Sequence, residues 1–121
     1  MKTGILLINL GTPDSPSTRD VRIYLRELLS CKRVIEINPV ARWFVLNLLI
    51  LPFRPRKSAK AYKKIWMDEG SPLLVFSEKL KTALLEEFAE KDIPIELGMQ
   101  CRKPSLKTAI GKLRGQNCDQ I

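Results

Sequence analysis

Apolar positions fall into two kinds of run along the chain. Ile5-Leu6-Leu7-Ile8-Asn9-Leu10 is a short unbroken apolar stretch closed by Gly11-Thr12-Pro13, the pattern of a strand covered on both faces in a parallel sheet. Ser17-Thr18-Arg19-Asp20 then fits a capping box, and Val21, Tyr24, Leu25, Leu28 and Leu29 recur at helical spacing. Strand, glycine-containing loop and helix together open an α/β fold. Val34-Ile35-Glu36-Ile37 reads as a brief extended segment, and Asn38-Pro39 supplies a cap and first position for a helix over Val40 to Leu51. That helix has almost no polar face. Twelve residues are too few for a bilayer, which needs about 20, so the pattern predicts a buried core helix, with an interfacial helix as the alternative.

Pro52-Phe53-Arg54-Pro55-Arg56-Lys57 reads as a stiff cationic connector, and Ser58 to Trp66 as a short helix carrying Ala59, Tyr62, Ile65 and Trp66 on one side. After the break at Met67-Asp68-Glu69-Gly70, Ser71 caps a long helix with Pro72 at its first position and Leu73, Phe76, Leu80, Leu84 and Phe88 as its buried stripe. Ile93 to Met99 alternates as a strand, with Pro94 near its start. Pro104-Ser105 opens a last helix, with Leu106, Ala109, Ile110 and Leu113 inward and Gly115 at its end. A further strand is expected to begin near Cys118-Asp119-Gln120-Ile121, so two parallel strands make an incomplete sheet.

Composition narrows the classes. The 45% apolar and 28% charged content in 121 residues is that of a folded domain. The six residues from Ile5 to Leu10 are too short a run to make a signal peptide, and a cytoplasmic location is expected. Cys31, Cys101 and Cys118 are odd in number and form no Cys-x-x-Cys pair, so they read as reduced thiols. The net charge of +8 is spread along the chain without a base-reading motif, which favours a solvated basic surface over nucleic-acid binding. With no histidine, the usual near-neutral proton carrier and the commonest metal ligand are both missing. Gly11-Thr12-Pro13 is a weak phosphate motif, since it carries a single glycine. Arg54, Arg56 and Lys57 abut an apolar helix on one side and Tyr62 on the other. A flat, hydrophobic, carboxylate-bearing ligand would use that combination; the alternative is a solvated basic loop.

Three motifs carry a family resemblance. Gly4-Ile5-Leu6-Leu7-Ile8-Asn9-Leu10-Gly11-Thr12-Pro13 resembles the opening of bacterial ferrochelatases. Ile50-Leu51-Pro52-Phe53-Arg54-Pro55-Arg56-Lys57-Ser58-Ala59 with Tyr62 resembles their second motif, and Glu69-Gly70-Ser71-Pro72-Leu73 their third, in the same order. The resemblance implies an α/β fold, a Rossmann-like (chelatase-type) parallel sheet flanked by helices. Residues 1–121 would be the incomplete first domain of a two-domain enzyme whose second domain is absent from this chain. It implies insertion of Fe2+, the metal substrate, into protoporphyrin IX to form protoheme, with no cofactor held here. Leu10, in the loop after the first strand, is implied to pack on the macrocycle, Arg54 and Ser71 to lie near the propionates, and Tyr62 to line the pocket. Val40 to Leu51 matches a lip over the pocket mouth that meets the membrane in some members.

The resemblance also assigns proton and metal work to a histidine and a glutamate later in the sequence, so this piece is expected to be inactive alone and, with apolar surface uncovered, to self-associate. Where the family has an Arg-Tyr-Gly-like stretch, this chain has Gln100-Cys101-Arg102-Lys103. Gln100 cannot replace a guanidinium, and no role is carried over there. A non-catalytic basic module that docks on anionic membranes is the rival from another class.

Overall fold

The computed structural model describes residues 1–31 and 33–121. The elements follow in the order β1 (Ile5–Gly11), α1 (Thr18–Ser30), α2 (Pro39–Phe44), a π-helical segment (Val45–Ile50), α3 (Arg54–Ile65), α4 (Pro72–Glu87), a 3-10 turn (Ala89–Lys91), β2 (Ile95–Cys101) and α5 (Leu106–Gly115). The α/β expectation is met: β1 and β2 pair in parallel, Ile5 opposite Ile95 and Gly11 opposite Cys101. Two compact units result, one of residues 1–11 and 73–121, the other of residues 12–72.

The first unit is built around β2, whose Ile95, Leu97, Met99 and Cys101 are all buried. Gly98 lets α5 approach closely, because a Cβ there would stand 3.1 Å from the Leu106 Cα and 3.3 Å from the Ala109 Cβ. Ser105 caps α5 by accepting from the Thr108 N–H at 3.1 Å. The helix α4 is tied to both strands: the Asn9 amide donates to Ser77 Oγ at 3.4 Å, and Lys81 Nζ lies 3.2 Å from Glu96 Oε2. Expected coverage of β1 on both faces is not found, since Ile8 and Leu10 are exposed. Among the described residues the other edge of β1 is met at its start, where Gly4 N–H donates to the Gln120 carbonyl at 2.8 Å and Thr3 bridges Gln120 in parallel. A strand-type pairing thus does begin near Cys118 to Ile121.

Two other expectations in this unit are corrected. The second strand runs from Ile95 to Cys101 rather than from Ile93, because the Pro94 carbonyl only receives the Ile5 N–H and regular pairing starts after it. The stripe assigned to α4 is wrong for Phe76 and Leu80, which are exposed, while Val75 and Ser77 are buried. Apolar residues lie on more than one side of this helix, and the Asn9–Ser77 bond lies on the side that meets the sheet. Cys101 and Cys118, like Cys31 of the other unit, are free thiols, in line with the reading of reduced thiols.

In the second unit, α1 and α3 pack together, with Val21, Tyr24, Ala59 and Pro55 at the buried contact. Ser17 caps α1 through the Asp20 N–H, as expected, but the return bond of the capping box runs through Ser15. Its hydroxyl donates to Asp20 Oδ2 at 2.6 Å and accepts from the Ser17 N–H at 3.2 Å. Val34 to Ile37 is not extended: the N–H groups of Val34 and Ile35 both turn back to the Cys31 carbonyl, which leaves them none to give a strand. The Val40 to Leu51 helix is two pieces. Beyond Phe44 the bonding shifts to the wider pattern, as in Leu51 N–H to Leu46 O at 2.9 Å, and the Asn47 amide takes the Trp43 carbonyl at 2.9 Å. It is also not a core helix, since among its apolar residues only Leu46 and Leu51 are buried. The cationic stretch is no connector either, because α3 starts at Arg54, with Pro55 in its first turn where a missing N–H costs nothing.

Candidate functional site

Two of the four sequence-assigned residues share one helix. Arg54 is the first residue of α3 and Tyr62 lies eight positions on, about 12 Å along the axis. Phe53, before it, offers no side-chain cap, so the first-turn N–H groups of α3 are left for water or an anion. Arg54, Arg56 and Lys57 stand exposed around that positive helix end. Between Glu36 and Asp68 the sequence holds no acidic residue.

Tyr62 is half-buried in an aromatic row. Its ring meets Tyr24 of α1 edge-on, with centroids 6.4 Å apart and planes at 90°, and meets Trp66 at 6.4 Å and 77°. Burial pushes the Tyr62 phenol above 10.0, opposed by its hydrogen bond with Tyr24. The ring is therefore a neutral wall at physiological pH, with no charge to repel a carboxylate.

Ser71 is 3% exposed, and its Oγ lies 2.6 Å from Thr12 Oγ1, also buried. It follows the turn Met67–Gly70, closed by reciprocal 3.0 Å bonds and by Gly70 at φ +128°. Its hydroxyl thus binds the loop after β1, from the position directly before α4. Leu10 belongs to the other unit and lies within β1, not in the loop after it. It is 42% exposed, with its N–H taken by the Asn9 side chain at 2.8 Å. Gly11 makes the turn that follows: at φ +117° a Cβ would collide with the Cys101 carbonyl oxygen.

The sequence did not show the Thr12–Ser71 pair, the Tyr24–Tyr62 ring contact, or the Asn9–Ser77 bond. Only the last had a signal, a lone polar residue inside the apolar run of β1. Exposed apolar side chains form a further feature of this unit. Val40, Trp43, Phe44, Leu48, Leu49 (66% exposed) and Phe53 (72%) have no cover, and Trp43 and Phe44 pack edge to face at 5.1 Å.

A ferrochelatase family model matches residues 2–121. The chain belongs to the ferrochelatase family. It is 52% identical over 120 residues to a ferrochelatase of Coxiella burnetii (strain RSA 493 / Nine Mile phase I), covering 99% of this chain and 34% of that protein. The ferrochelatase of Marinomonas sp. (strain MWYL1) is 51% identical over 121 residues, 98% of this chain and 37% of its own length. That of Yersinia enterocolitica serotype O:8 is 47% identical over 120 residues, 99% and 37%. The chain thus spans about a third of the length of the curated ferrochelatases it matches.

Proposed function

We propose that this chain is the porphyrin-facing part of a ferrochelatase, which inserts Fe2+ into protoporphyrin IX, releasing two pyrrole protons, and yields protoheme. The observation that carries the reading is the family match along residues 2–121. Leu10 packs on the macrocycle, Tyr62 lines the pocket, and Arg54 with the positive end of α3 steadies a propionate. Support comes from the exposure of Leu10 and Arg54 and from the neutral Tyr62 ring. A propionate that reaches Ser71 must displace Thr12 as its partner. Macrocycle deprotonation needs a base near neutral pH, and iron delivery needs a ligand for a borderline metal; imidazole serves both. This chain has no histidine, so those steps belong to groups outside it.

Two measurements test the reading. The 121-residue chain, given Fe2+ and protoporphyrin IX, forms no heme above background; insertion by this piece alone refutes the division of labour. In the full-length protein, Arg54→Ala weakens porphyrin binding about threefold to tenfold in a Soret-band titration, the range for an exposed charge-assisted contact. Equal titration curves remove Arg54 from the site.

The uncovered side chains of Val40 to Leu51 favour a second element, a peripheral contact with membrane from a cytoplasmic protein. They lie next to seven basic and no acidic residues between Ile37 and Met67, which suits an anionic lipid surface. No helix among the described residues is long and apolar enough to cross a membrane. The same surface suits self-association of the chain. Flotation with anionic liposomes, and sedimentation without them, separate the two.

A further inference from the structure

We propose that Tyr24 of α1 is a positioning residue for Tyr62, holding its ring plane so that the open side of the ring presents one fixed face to a flat ligand. The inference rests on the reading of Tyr62 as a pocket residue and adds what orients it.

Tyr24 is 4% exposed, in the contact between α1 and α3. A phenylalanine would fill that site equally well, and a buried hydroxyl is unfavourable there unless it is bonded. A side-chain hydrogen bond joins it to Tyr62. A phenol ring turns easily about its last torsion, which is broad and roughly two-fold. Two constraints limit that freedom here: the perpendicular contact with the Tyr24 ring and the bond between the two side chains. Trp66 also meets the Tyr62 ring, at 77°, and its backbone N–H closes α3 on the Tyr62 carbonyl at 2.9 Å. The Tyr62 ring is thus in contact with two other rings and part-exposed. A ligand that stacks or abuts a ring loses contact when the ring plane wanders, so the clamp acts on substrate binding rather than on proton transfer.

The test uses the full-length protein with Tyr24→Phe, Tyr62→Phe and the double variant, each assayed for KM of porphyrin, kcat and phenol ionisation by ultraviolet difference titration. Tyr24→Phe keeps the ring and the packing. It is expected to raise KM about threefold to tenfold while kcat changes less, and to move the Tyr62 ionisation upward, because the bond that opposes desolvation is lost. The Tyr24 change is expected to add nothing in the Tyr62→Phe background. Tyr24→Leu, which removes the ring edge as well, raises KM further.

An unchanged KM in Tyr24→Phe, or an equal effect of the change with and without the Tyr62 hydroxyl, overturns the positioning role and leaves Tyr62 in the pocket. An unchanged KM in Tyr62→Phe, which keeps the ring and loses the bond to Tyr24, also overturns the positioning role, whereas an unchanged KM in Tyr62→Leu, which loses the ring, removes Tyr62 from the pocket. Tyr24→Leu milder than Tyr24→Phe also overturns the assignment, since the ring edge would then contribute nothing.

Discussion

Replacing Gly11 by alanine separates two costs that are usually confounded. Gly11 and Gly70 both sit at strongly positive φ, +117° and +128°, where an L side chain is strained by about 1–3 kcal/mol. Around Gly70 an added Cβ meets nothing within 4 Å, so Gly70→Ala bears the conformational cost alone. At Gly11 the Cβ runs into the carbonyl oxygen of Cys101, its own partner in the sheet. That obstacle is backbone and cannot rotate away, so β1 must separate from β2 at that rung. An overpacking cost of about 1–3 kcal/mol is added. Gly11→Ala is therefore expected to cost about 2–6 kcal/mol, against about 1–3 for Gly70→Ala.

With a denaturant slope of about 2 kcal/mol per molar urea, the midpoint falls by about 0.5–1.5 M for Gly70→Ala and about 1–3 M for Gly11→Ala. Equilibrium urea unfolding followed by far-ultraviolet circular dichroism reads both. Equal shifts, or the larger one at Gly70, would refute the steric account of the turn after Leu10. Because Gly11 directly follows Leu10, the same variant should also disturb the side chain assigned to the macrocycle.

Two further outcomes follow from the core and from Tyr62. Leu113 is fully buried on α5, with its Cδ2 3.0 Å from where a Cβ on Gly4 would stand, so Leu113→Ala is expected to cost about 2–5 kcal/mol, measured by the same unfolding. A loss under 1 kcal/mol would mean that α5 is not seated on the sheet as described. The raised Tyr62 phenol gives a stability contribution that is complete below pH 10.0 and declines as pH climbs through the higher folded-state value, because the unfolded chain ionises first. Tyr62→Phe should flatten that alkaline decline, and an unchanged profile would contradict it.

What the sequence made legible was local. Helix α5, its Ser105 cap and its inner Ala109 and Leu113 follow from spacing alone, as does the parallel pairing of β1 and β2 from two apolar runs around helices. What escaped depends on partners far along the chain. The side α4 turns to the sheet carries Ser77, bonded to Asn9 nearly 70 residues away; helical spacing alone pointed to Phe76 and Leu80. The apolar Val40 to Leu51 segment reads the same whether buried or bare, because hydrophobicity sets a preference for cover without supplying it. Arg54 and Tyr62 were assigned to the proposed site from motif order, and the structure places both on α3. The contact of Tyr24 with Tyr62 was not legible, since a tyrosine on a helical stripe looks like any other core residue.

The pairing of Ile5 with Ile95 has a kinetic side. β1 is made first, yet its partner emerges about 90 residues later, roughly 4 to 18 seconds at ordinary rates of synthesis. Closing so long a loop costs about 2 kcal/mol more than closing one of ten residues, so local helices form before the sheet can. Throughout that interval Ile5 to Leu10 is an uncharged, strand-forming segment without a mate, the kind of stretch that pairs with copies of itself. The six residues that seat the sheet are thus the chain's point of vulnerability on the ribosome, and soluble yield should depend on how quickly residues 12–94 follow them.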